Sequence, residues 1–259
     1  MTSFPATRRS ALRASALRAS ALRASALLLL LGGALSAGGC EPREADATAA
    51  RADAAPAPAD PAAQDIALQD TARTALIARA DLGRIKGAES AKVWLIVISD
   101  FQCPFCKRWH EETADRIDRE YVNTGKVRVA YMNYPISSHR NARPAHDVAM
   151  CAAEQGKFWP VADALFATQE RWKDRGDAPA YFDSLARTLP LDHQRLRACV
   201  ADGALRPLIQ ADLERSLQRG IGSTPTFFAG SRVIVGAQPF AAFKDALDRE
   251  LAALPAAPR

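Results

Sequence analysis

Five cysteines are spread over 259 residues, and two of them stand one helical turn apart in Cys103-Pro104-Phe105-Cys106. Two thiols at that spacing support three chemistries: a reversible dithiol–disulfide couple, half of a metal site, or a pair of inert buried sulfurs. The residues ahead of the pair favour the first. Val93 to Ser99 reads Val-Trp-Leu-Ile-Val-Ile-Ser, an apolar and β-branched run that predicts a strand delivering the chain to the motif, with a helix opening on Cys103. The first sulfur then lies at a helix N-terminus, where unpaired backbone N–H groups and the helix dipole favour a thiolate. A closed zinc site would need further ligands. His110 follows Cys106 at helical spacing, but His139, His146 and His193 form no matching pair, so His110 reads as a solvated helix residue and no metal is assigned. Asp100, just before the motif, reads as a turn or capping residue, with assistance to proton transfer as the alternative.

The elements that must hold this pair can be traced along the chain. A strand over 92–99, continuous in its apolar character as if covered on both faces, leads into a helix over 103–121 with Phe105, Trp109, Ile117 and Tyr121 as inward positions. Gly125 closes that helix, and alternation over 126–134 predicts a second, parallel strand, completing a βαβ unit. Helical patterns then follow one another over 145–156, 158–170, 180–189, 192–200 and 204–218, with no strand signal among them. Strands return at 226–229 and 232–235 across Gly230-Ser231, a hairpin turn signal, and an amphipathic helix over 240–254 closes the chain. A short helix is also expected over 66–80. The order is βαβ, helical insertion, ββα: an α/β fold divided by an all-helical block. Trp94, Trp109, Trp159 and Trp172 are assigned to packing.

The net charge of +5 has a local origin, since the first 40 residues hold Arg8, Arg9, Arg13, Arg18 and Arg23 and no acid. The remainder is neutral, which argues against nucleic acid as a partner. Residues 1–40 read as an export signal, with a basic start, an apolar core around Leu27 to Leu31 and small residues before Cys40. That core is too short and glycine-interrupted to span a membrane, which takes about 20 apolar residues. Ser36-Ala37-Gly38-Gly39-Cys40 resembles a bacterial lipobox, with Ala37 where a large aliphatic residue is usual. Cys40 is therefore the candidate lipidation site and membrane tether, and cleavage to a soluble periplasmic protein is the alternative. Residues 41–64 are Ala, Pro, Asp and Arg with little to bury, and read as a disordered tether. The domain reading is thus 1–40 signal, 41–64 tether, 65–136 and 220–259 the two halves of one fold, and 137–219 the insertion.

Three phrases in this order, Ser99-Asp100-Phe101-Gln102-Cys103-Pro104-Phe105-Cys106-Lys107, Gln155-Gly156-Lys157-Phe158-Trp159 and Gly222-Ser223-Thr224-Pro225-Thr226-Phe227, resemble the thioredoxin superfamily, specifically its DsbA-like branch. The resemblance covers about residues 81–254. It implies a thioredoxin fold with an inserted helical domain and a thiol:disulfide oxidoreductase activity that needs no cofactor. It also implies Cys103 as the partly exposed nucleophile, Cys106 as its buried partner, Pro104 and Phe105 as their tuning neighbours, and a cis Thr224–Pro225 peptide in the loop facing them. A cis X-Pro bond turns the backbone before it outward, where an extended substrate segment can pair.

The partners implied are exported cysteine-containing proteins and a membrane redox partner, DsbB-like or equivalent. Strongly oxidising relatives carry His between the cysteines where Phe105 stands here, so the oxidase direction is favoured with isomerase or reductase work as the alternative. A non-catalytic tethered chaperone or metal-binding module is the rival of another class. Cys151 and Cys199 remain, an even pair in an exported chain, and relatives with a second bridge place it in the helical domain. A structural disulfide is the expectation, and two free buried thiols the alternative.

Overall fold

The computed structural model describes residues 61–255, which lie within a compact unit, Pro56–Arg259. The stretch read as an export signal, Cys40 and the part of the expected tether up to residue 60 lie outside the described residues. Helix α1 (Pro61–Gly83) begins inside the stretch read as tether and is longer than its apolar spacing suggested. Leu76, Ile77 and Ala80 rest on the helical core. Its end sits so close to the insertion that a Cβ on Gly83 would stand 1.9 Å from the Ala153 carbonyl oxygen.

Five strands form one sheet: β1 (Ile85–Lys86), β2 (Val93–Ser99), β3 (Val127–Asn133), β4 (Thr226–Ala229) and β5 (Arg232–Val235). Their order is β1-β3-β2-β4-β5. β2 and β3 pair in parallel, from Val93 opposite Val127 to Ser99 opposite Asn133, and every other pair is antiparallel. The parallel pair needs a crossover, which is α2 (Pro104–Trp109) running on through two π-helical stretches, His110–Ala114 and Asp118–Val122, that flank the single turn α3 (Asp115–Ile117). The Asn123 N–H reaching the Asp118 carbonyl at 2.8 Å is one of the wide i→i+5 bonds.

Between β3 and β4 lie only helices: α4 (Ala142–Ala153), α5 (Phe158–Ala167), α6 (Gln169–Trp172), α7 (Ala178–Ala186), α8 (His193–Asp202) and α9 (Arg206–Gln218). The single helix expected over 158–170 is two, broken at Thr168, whose hydroxyl donates back to the Ala164 carbonyl at 2.7 Å. α10 (Phe240–Ala252) closes the chain against the sheet. None of the helices among the described residues is long and apolar enough to cross a membrane.

Two apolar clusters result. One joins Leu95, Val97, Val127 and Val129 of the sheet to Trp109, Ile117 and Tyr121 of the crossover and to Phe243 and Leu247 of α10. The other, built by the insertion around Met150, Phe158, Leu165, Trp172 and Phe182, includes Phe101, Cys103 and Cys106. Trp159 touches both. The remaining face of the sheet is less covered than the continuous apolar run in β2 implied: Trp94 and Ile96 are half-buried. Ile96, Met132 and Phe228 line an open depression of about 420 Å³ there. Trp94 carries the Arg128 guanidinium 4.6 Å from its ring centre instead of joining the core.

Candidate active site

β2 ends at Ser99, and a turn through Asp100, Phe101 and Gln102 brings Cys103 to the N-cap of α2 in an extended conformation (φ −70°, ψ 124°). Pro104 opens the helix, where its missing N–H would lack a partner anyway and its ring presets the helical φ. The Phe105 and Cys106 amides remain, and both stabilise charge on the Cys103 sulfur. Cys106 is fully buried, and its Sγ accepts the Asp100 backbone N–H at 3.5 Å. Cys103 is 4% exposed, less than the partly open nucleophile expected, because the facing loop covers it. In that loop the Thr224–Pro225 peptide is cis, and the Thr224 carbonyl lies 3.5 Å from the Cys103 Sγ.

The two thiols are pushed apart in acidity. The Cys103 thiol is drawn down from 9.0 to about 6, first because the Cys106 S–H donates to its thiolate; burial opposes this, and Thr224 and the Cys106 and Phe105 amides add to it. The Thr224 hydroxyl is buried with no hydrogen-bond partner, which leaves it available to donate to the thiolate. Burial pushes the Cys106 thiol up, and the neighbouring Cys103 sulfur adds to that. One sulfur is thus a good nucleophile and leaving group near neutral pH, and the other holds its proton.

Phe105 departs from its expected place. Helical spacing puts it inward, yet the residue is 52% exposed, and Pro104 before it is exposed too. Its ring lies 5.1 Å from the Arg108 guanidinium at the surface beside the sulfurs. Trp109, Ile117 and Tyr121 do face inward. His110 is not a solvated helix residue: its Nε2 lies 3.1 Å from Asp163 and its ring packs on Phe166 at 4.7 Å, tying the crossover helix to the insertion. Cys151 and Cys199 are joined in a disulfide across 48 residues, linking α4 to α8.

Several residues that build the site carry no motif. Gln169, fully buried at the start of α6, donates to the carbonyls of Phe101 at 2.7 Å and Cys103 at 3.1 Å, so the insertion holds the loop that presents the nucleophile. Asn141 accepts nothing from that loop through its side chain but donates to the carbonyls of Trp172, Lys173 and Arg175 at 2.9–3.0 Å, and its backbone N–H reaches the Gln102 side chain at 2.8 Å. Asp100 fills its turn role, accepting the Gln102 N–H at 2.7 Å, and also the Ile136 N–H at 2.8 Å. The Gly-Lys-Phe-Trp phrase supplies Phe158, fully buried against Tyr131 at 5.0 Å between ring centres.

Comparison with known proteins agrees with this geometry. A family model described as thioredoxin matches residues 80–249. The chain is 30% identical over 153 residues to the Na(+)/H(+) antiporter NhaA 3 of Salinispora tropica, which covers 59% of this chain but only 22% of that protein. It is 23% identical over 169 residues to the probable disulfide bond formation protein D of Bacillus anthracis, covering 64% of this chain and 76% of that protein. The crystal structure of oxidised BdbD from Bacillus subtilis superposes with a TM-score of 0.59 at 20% identity, over 65% of this chain and 92% of that one. With a dithiol at the head of the crossover helix, a cis-proline loop facing it and a helical block between the halves of the sheet, the chain belongs to the thioredoxin family and has the DsbA-like form of its fold.

Proposed function

We propose that the chain is a thiol:disulfide oxidoreductase that donates the Cys103–Cys106 disulfide to exported, cysteine-containing proteins in the periplasm. The observation that carries this reading is the dithiol at the head of α2 with the cis Thr224–Pro225 loop 3.5 Å from the Cys103 sulfur, and the opposite pull on the two thiols, Cys103 down and Cys106 up, supports it. A substrate thiolate attacks the Cys103 Sγ, the Cys103–Cys106 bond breaks, and the departing Cys106 sulfur takes up a proton. A second substrate thiolate then attacks the substrate sulfur of the mixed disulfide and expels Cys103 as its stabilised thiolate. The substrate loses two electrons and the enzyme is left as the dithiol, so no cofactor is needed. A membrane redox partner, DsbB-like or equivalent, takes those two electrons and restores the disulfide.

An extended substrate segment would pair with the backbone before the cis Thr224–Pro225 bond, beside the sulfurs, with the exposed Phe105 ring and its neighbour Arg108 close by. A lipid on Cys40 would tether the enzyme to the membrane. The test is turnover: the purified protein with excess oxidised glutathione should oxidise a reduced two-cysteine peptide catalytically, and Cys103→Ser should abolish this. Peptide oxidation no faster than with glutathione alone, or full activity in Cys103→Ser, would overturn the reading.

A further inference from the structure

Behind the dithiol is a second pair that the exchange steps above do not use. Asp100 is fully buried, its carboxylate Oδ2 lies 2.8 Å from the His139 Nδ1, and the His139 side chain is 23% exposed. The same oxygen accepts the Ile136 N–H and Oδ1 accepts the Gln102 N–H, so the carboxylate is fixed on three sides. The backbone of the same residue engages both cysteines: its N–H points at the Cys106 Sγ at 3.5 Å, and its carbonyl accepts the Cys103 N–H at 3.1 Å. The imidazole is thus joined to the dithiol through one residue, Asp100.

We propose that His139, gripped by the Asp100 carboxylate, is a positioning residue of the dithiol centre: its imidazolium stabilises the Cys103 thiolate of the reduced form, and its grip on Asp100 holds the N–H that caps Cys106. This rests on the oxidoreductase reading and deepens it, because it supplies from the β3–α4 loop the positive charge that Phe105, between the cysteines, does not.

The surroundings leave His139 as the imidazole suited to the task. His146 of α4 is held neutral, its pKa lowered to about 4 by burial, and its Nδ1 engages Asn133 at 2.7 Å. Burial keeps the Tyr131 hydroxyl of β3 protonated. His110 faces Asp163, Arg143 reaches Gln210 at 2.9 Å, and Arg140 is exposed. His139 itself is pushed up, first by the Asp100 hydrogen bond and then against burial, with Asp100 and Cys103 adding through their charge.

Coupling between two sites is reciprocal, so the effect can be read from either end. The direct test follows the His139 ring by NMR through a pH titration of the wild-type protein, once as the disulfide and once as the dithiol. The reduced form should bind the His139 proton at least twofold more tightly than the oxidised form. His139→Gln should weaken the Cys103 thiolate by the same factor and shift the equilibrium with glutathione towards the disulfide by that factor. A purely structural role would leave the titration the same in both redox states, and that result overturns the proposal. Should His139→Gln fail to fold, the wild-type comparison still decides. A protein that cannot be cycled with glutathione at all overturns the oxidoreductase reading together with this one, whereas cycling with an unchanged His139 titration overturns this one alone.

Discussion

Removing the Cys106 sulfur tests the acidity split from its largest contributor. The Cys103 thiol is lowered from 9.0 to about 6, which corresponds to about 4 kcal/mol of preference for the thiolate at about 1.4 kcal/mol per unit. The Cys106 S–H is the first of the groups responsible, ahead of Thr224 and the two amides. In Cys106→Ala those others remain and one sulfur atom is lost from the core. The Cys103 pKa should therefore rise by at least about one unit, taking the thiolate fraction at about pH 6.5 from about three-quarters to about one-quarter. The ultraviolet absorbance of the thiolate against pH reads this directly, and the alkylation rate by iodoacetamide should follow the same curve. An unchanged Cys103 titration in Cys106→Ala would refute the account of which group stabilises the nucleophile.

Three further outcomes test the scaffold. Replacing Cys151 and Cys199 together by Ala opens a crosslink spanning 48 residues; the loop-entropy model puts the loss at about 4 kcal/mol, and a change below about 1 kcal/mol in urea unfolding would contradict it. Gln169→Ala takes the side-chain donor from the Phe101 carbonyl and leaves the Cys103 carbonyl only the Lys107 N–H, which should cost about 1–3 kcal/mol in the same assay. Burial lowers the His146 pKa from 6.5 to about 4, so between those values the unfolded chain binds a proton that the folded one refuses. Stability then falls as the pH drops through that window, by about 2.5 kcal/mol at about pH 4.5, and His146→Gln should flatten this part of the profile. His139, raised in the folded state, works in the opposite sense: its contribution is full in acid and is lost as the pH rises through its folded value.

Much of the framework could be read from the chain because it depends on local pattern. Alternation in 126–134, the Gly230-Ser231 turn and the spacing of the terminal helix correspond to β3, the β4–β5 hairpin and α10. The dithiol was legible for a related reason: its two sulfurs are neighbours in sequence, so their relation needs only one helical turn. The parts that escaped depend on contacts across long separations. Gln169 lies 66 residues from the Cys103 carbonyl it holds, and His139 lies 39 residues from Asp100. No periodicity marks a single Gln or His as the partner of a distant turn. β1 has only two residues, too few to show alternation. Phe105 was misplaced because helical spacing says which side chains share a face, and not how far along the helix its neighbours extend.

The central claim is that this centre oxidises, and the equilibrium of the Cys103–Cys106 couple with glutathione measures it most directly. A thiolate stabilised to about 6 lies between thioredoxin, at about 7, and DsbA, at about 3.5. The potential should accordingly lie between the roughly −270 mV of thioredoxin and the roughly −120 mV of DsbA. A value at or below that of thioredoxin, about −270 mV, would contradict the oxidase account and make the centre a reductant instead.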